Sequence, residues 1–78
     1  MGNEPRDSDP GLAHYANHLA VAFTMLEFVL DFGQIYPGEE LPILVSRVVA
    51  SPGHFKAFAR VMAETVEQYE IEYQRIPE

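Results

Sequence analysis

The sequence predicts an α+β domain in which a three-stranded, mainly antiparallel sheet is followed by one long C-terminal helix, the whole being completed by homo-oligomerisation. Three observations lead there. "ILVSRVVA" (Ile43 to Ala50) is short and rich in β-branched residues, Phe28, Leu30 and Phe32 alternate as in a strand, and "SPGHFKAFARVM" opens with a helix-start signature before apolar residues recur at helical spacing. Two Pro/Gly clusters, "YPGEELP" and "SPG", punctuate these segments.

Taken in order, residues 1–12 collect Gly, Asn, Pro, Asp and Ser with almost nothing to bury, and read as a disordered arm ahead of a single small domain over 13–78. The next segment has two readings. Tyr15, Leu19, Ala22, Leu26, Val29 and Leu30 are spaced for a helix, whereas Leu19, Val21 and Phe23, then Phe28, Leu30 and Phe32, alternate as two strands. A helix would leave Phe23, Phe28 and Phe32 off its buried stripe, forfeiting roughly 1.5 to 3 kcal/mol for each ring, so strands are preferred. On that reading Glu27 and Asp31 share the opposite face as two solvated carboxylates. Thr24-Met25-Leu26, which lacks Gly, Asn or Pro, is a poor hairpin turn.

In the third strand Ile43, Val45 and Val49 lie on one side with Arg47, while Leu44, Val48 and Ala50 lie on the other. A lone helix covers one sheet face at most. The two-sided apolarity therefore asks for a second copy of the chain, and Val45 and Val48 become interface candidates.

The helix starts at Ser51, whose hydroxyl can cap the first turn, and Pro52 suits a first helical position because its missing N–H would be unpaired anyway. Phe55, Phe58, Ala59, Met62, Val66, Tyr69 and Tyr73 form its apolar stripe, and Pro77 stops it after about Ile76. No internal repeat or heptad array stands out. Lys56 and Arg60 sit at the start and Glu64, Glu67, Glu70 and Glu72 at the end, the reverse of the order that the helix dipole favours. That reversal suits an antiparallel neighbour or a charged protein partner at the acidic end, where Glu67, Tyr69, Glu70 and Tyr73 are the candidates.

At 78 residues the chain buries only about 60% of its unfolded surface, which leaves a small domain marginal unless something staples it. It has no cysteine, so neither disulfides nor a thiolate metal site can do so. A formal charge of −7 disfavours nucleic acid and anionic membranes, and no run approaches the ~20 apolar residues of a membrane span. A cytoplasmic location is the default expectation.

Asp31-Phe32-Gly33 has the letters of the kinase magnesium motif, but the glycine loop, strand lysine and catalytic loop that give those letters their chemistry are absent. The tripeptide is expected to be structural, with Phe32 buried, Asp31 facing the other way and Gly33 ending its strand. His14 and His18 would be ~13 Å apart along a strand, too far to share a metal. His54 in the first helical turn reads as a capping or packing residue. No catalytic residue, metal or cofactor follows from these groups.

Asn17-His18, "EFVLDFG" at Glu27 to Gly33, Pro37-Gly38, "SRVVASPGH" at Ser46 to His54 and Tyr69-Glu70 together resemble a family of short prokaryotic proteins classed as a domain of unknown function. The resemblance covers Tyr15 to Ile76 and implies a strand-strand-strand-helix unit, with "EFVLDFG" in the second strand and "SPGH" starting the helix. It transfers no catalytic residue. The functional expectation is a non-catalytic interaction or assembly module, an adaptor or complex subunit. The alternative is a small-ligand or regulatory binding protein whose cleft between sheet and helix is lined by Tyr15, Tyr36 and the helix aromatics.

Overall fold

A computed structural model describes residues 13–78; the expected arm at 1–12 lies outside the described residues. Strands β1 (His18–Phe23), β2 (Phe28–Gln34) and β3 (Ile43–Ala50) form one antiparallel sheet in the order β1-β2-β3, and helix α1 (Pro52–Glu72) follows. The strand reading of the first segment is borne out.

The β1–β2 turn works without glycine because Thr24 supplies the missing chemistry. Its hydroxyl accepts from Leu26 N (3.2 Å) and Glu27 N (3.3 Å), and its own N–H donates to Glu27 O (2.9 Å). Glu27 thus belongs to the turn, not to the strand face expected for it. At the other end of β1, the Asn17 amide imitates a backbone unit: Nδ2 donates to Ile35 O at 3.1 Å and Oδ1 accepts from Ile35 N at 2.8 Å. The ladder is extended by a side chain.

Register places Leu19, Val21 and Phe23 opposite Phe32, Leu30 and Phe28, and these in turn opposite Ser46, Val48 and Ala50. Paired residues share a face, so one side of the sheet is almost wholly apolar. The reverse side carries His18, Ala20, Ala22, Val29, Asp31, Arg47 and Val49. A register shift between Phe32 and Gly33 interrupts the alternation. Beyond it Leu44 pairs with Gly33 and Ile43 with Gln34, which exchanges the faces that strict alternation gives those two residues.

Gly33 is where the chain comes closest to itself. A Cβ there would stand 3.1 Å from Ile43 O and 3.3 Å from Pro42 Cβ, so the bulge needs the absence of a side chain. Gly33 does not end the strand, which runs on to Gln34. Gly38, with φ +85°, follows Pro37 in a turn closed by Glu39 N donating to Tyr36 O at 3.0 Å, the type II arrangement that calls for glycine at its third position.

The helix begins as its sequence dictates: Ser51 Oγ accepts from His54 N at 3.2 Å, with Pro52 as the first helical residue. Tyr73 N closes its last turn on Tyr69 O at 2.8 Å. Only Ser51 separates β3 from α1. The helix meets the sheet at its first turn, where Phe55 stacks on Phe28 with ring centroids 4.1 Å apart, and Phe23 extends that row at 5.6 Å. No helix residue is buried. The expectation was that a lone helix covers one sheet face at most, and here Leu30 and Ala50 are buried while Leu19, Val21, Phe23 and Val48 on the same face stay largely exposed.

Two substitutions test these local arguments. Thr24→Val, which keeps the shape and removes the acceptor, should lower unfolding stability by about 0.5 to 1.5 kcal/mol in urea denaturation. Gly33→Ala should lower it more, since backbone on one side and a proline ring on the other leave the methyl group no flexible neighbour to displace.

Candidate functional site

The described residues bury little. Leu30 (4% exposed) and Ala50 (9%) are the buried hydrophobic residues, both on the apolar sheet face. Around them Leu19, Val21, Phe23 and Val48 stay 40–73% exposed, and the hairpin tip adds Met25 at 91%. Phe32, expected to be buried, is half-buried, and so is Val45 beside the bulge.

The helix continues the same surface. Phe58, Met62, Val66, Tyr69 and Tyr73 are 42–68% exposed along its stripe, with the Tyr69 and Tyr73 rings 5.0 Å apart. Its first turn holds no acidic residue and its last no basic one. Of the acidic candidates, Glu67 is exposed, whereas Glu70 is half-buried and accepts a hydrogen bond from Ile76 N at 2.8 Å, turning the chain back after the helix. His54 stacks its ring over Phe58 at 6.4 Å. All six interface candidates from the sequence therefore lie on or beside exposed surface, but Val48 is on the apolar face and Glu70 already has structural work.

On the reverse face Asp31 is paired. Arg47 Nε donates to Oδ1 at 2.6 Å and Nη2 to Oδ2 at 2.9 Å, a two-pronged ion pair across the β2–β3 ladder. The hydrogen bond from Arg47 holds the Asp31 carboxyl below its ordinary range, against a smaller opposing effect of desolvation, and raises the Arg47 pKa in turn. Asp31 is not the solvated carboxylate that the sequence implied. The partner was legible, since Arg47 sits among apolar residues in β3, but only the register shows that the two are opposite. Among the described residues no group of three or more His, Asp or Glu side chains could hold a metal ion.

Recesses in this surface are open and lie away from the expected aromatic cleft. One of about 140 Å³ on the reverse face is lined by His18, Ala20, Asp31, Phe32, Gly33, Pro42 and Leu44. Another, of about 430 Å³, lies where the chain turns back after the helix, against Val66, Glu70, Arg75, Ile76 and Glu78. Tyr15 and Tyr36 line neither of them. Among the described residues no helix is long and apolar enough to cross a membrane.

The family model described as "Protein of unknown function (DUF3467)" matches residues 4–78. The chain belongs to that family. The DUF3467 match extends the resemblance seen from Tyr15 to Ile76 over nearly the whole sequence. No curated protein and no solved structure matches the chain.

The ion pair gives a pH prediction with a definite sign. A carboxyl whose folded pKa is lowered contributes stability above its unfolded pKa of about 3.9, and that contribution is lost as pH falls through the lower folded value. Wild type should therefore lose stability over that acid interval more steeply than Asp31→Asn, as followed by thermal unfolding. Magnesium should leave the wild-type melting temperature unchanged, because a cation would have to displace a guanidinium already bound through two nitrogens.

Proposed function

We propose that this chain is a non-catalytic assembly module that works as a homodimer or larger homo-oligomer, serving in the prokaryotic cytoplasm as an adaptor or a subunit of a larger complex. One observation carries the reading: the apolar sheet face and the apolar helix stripe of a single protomer are both uncovered. Leu19, Val21, Phe23 and Val48 on the sheet and Phe58, Met62, Val66, Tyr69 and Tyr73 on the helix stay 40–73% exposed, more apolar surface than singly scattered residues would present.

A second copy is the occupant best supported, for two reasons. The uncovered surface includes the residues that flank the core itself, so whatever covers it must be present for the domain to be stable. Its two ends also carry opposite charge, which suits a two-fold pairing of identical chains. Catalysis has less support, since Asp31 is held by Arg47 and Glu70 by Ile76 N. The small-ligand alternative has less support: the recess beside Gly33 is only about 140 Å³, and the one of about 430 Å³ after the helix, though of drug-sized volume, is open and lined by none of the aromatic residues expected of the cleft.

Light scattering should give at least a dimer mass across the micromolar range, and a monomer mass throughout would reject the proposal. Val48→Asp, on the apolar face and 40% exposed in the lone protomer, should release monomer or unfold the chain, because pairing would strand its charge without a partner.

A further inference from the structure

The stripe on α1 has a regularity that the sequence reading passed over. Phe55, Ala59, Met62, Val66, Tyr69 and Tyr73 follow one another at steps of four, three, four, three and four, the heptad spacing of a helix that packs lengthwise against another helix. This row needs a neighbour along its whole length, about 31 Å for 21 residues. The sheet of the same protomer meets it at its first turn, where Phe55 stacks on Phe28, and leaves the stripe beyond 46–68% exposed at Met62, Val66, Tyr69 and Tyr73.

We infer that α1 pairs antiparallel with α1 of a second copy, about a two-fold axis at the level of Glu64, which makes the helix seam an interface of the assembly. The inference rests on the homo-oligomeric reading above and names the surface, orientation and register through which it is built. Across such an axis Phe55 meets Tyr73 of the partner, Ala59 meets Tyr69, and Met62 meets Val66. The smallest residue of the seam thereby faces one of the largest.

Charge chooses the orientation. Antiparallel pairing sets Lys56 beside Glu70 of the other copy at the seam margin and brings the basic end that includes Arg60 towards the acidic end that includes Glu67. The two helix dipoles then oppose, and each basic start lies near the partner's negative helix end. Parallel pairing would instead gather Glu64, Glu67, Glu70 and Glu72 from both copies at one end, where like charges repel. Thr65 sits beside the axis at the seam margin, and it can enter an interface at little cost because its hydroxyl already donates to Val61 O at 2.7 Å.

The same geometry accounts for the aromatic residues at both ends of the helix. The row Phe23, Phe28 and Phe55 ends at the start of α1, and the pair Tyr69 and Tyr73 stands at its finish. Antiparallel pairing joins the row of one copy to the pair of the other, twice per dimer. Ile71, 79% exposed, lies off the seam and is not explained by it.

The absence of cysteine makes the test direct. Thr65→Cys should oxidise to a disulfide-linked dimer, whereas Lys56→Cys alone should not, being separated from its counterpart by roughly 24 Å along the axis. Mixed with Glu70→Cys chains, Lys56→Cys should link. Self-linking of Lys56→Cys in a protein of dimer mass would mean parallel helices. Dimer mass with no link at Thr65→Cys, or none in the mixture, would place the interface elsewhere. Either result overturns the helix seam and leaves the homo-oligomeric reading standing, whereas a monomer mass for the unmodified chain overturns both.

Discussion

The one-residue connection at Ser51 constrains everything that follows it. A strand that passes into a helix through a single capping residue leaves the connection little slack, and the aromatic stack of Phe55 on Phe28 ties the first helical turn to the sheet. The consequences are those of area. The sheet keeps an apolar face whose margins stay exposed around Leu30 and Ala50, and the helix keeps an exposed apolar stripe beyond Phe55. A chain of 78 residues without disulfides has little stability to set against that exposure. On the proposed assembly reading, a partner surface is part of the fold as well as of the function.

Asp31, Phe32 and Gly33 illustrate how a familiar tripeptide can arise from unrelated demands. Asp31 points to the face where Arg47 lies directly across the ladder, Phe32 belongs to the apolar face, and Gly33 admits the close approach of Ile43 and Pro42 at the bulge. Each residue is explained by its neighbour in space. None of the three needs the other two for chemistry.

Much of the fold was legible in the sequence because its signals are local. Ser51 and Pro52 announce the helix, Pro37 and Gly38 announce their turn, and the alternation of Phe28, Leu30 and Phe32 outweighs a helical spacing that would have exposed aromatic rings. What escaped was set by distant partners or by side chains acting as backbone. Thr24 closes a hairpin with its hydroxyl, Asn17 extends a ladder with its amide, and the bulge at Gly33 exchanges the faces of Ile43 and Leu44. The candidate surface was half visible: the stripe residues and the reversed charges of α1 could be read directly, but the extent of their exposure depends on how the helix leaves the sheet. The heptad steps were present in the stripe all along, masked by Phe58, which stands between Phe55 and Ala59 in the stripe as read from the sequence.

The account stands or falls on whether folding and association are one event. If two copies supply each other's missing cover, dilution must destabilise the fold, because unfolding then releases two chains from one assembly. The most direct measurement is the melting temperature of the unmodified chain over a hundredfold range of protein concentration. The account predicts a midpoint that rises steadily with concentration, whereas a cooperative transition at one fixed temperature throughout would show that a single protomer is complete by itself.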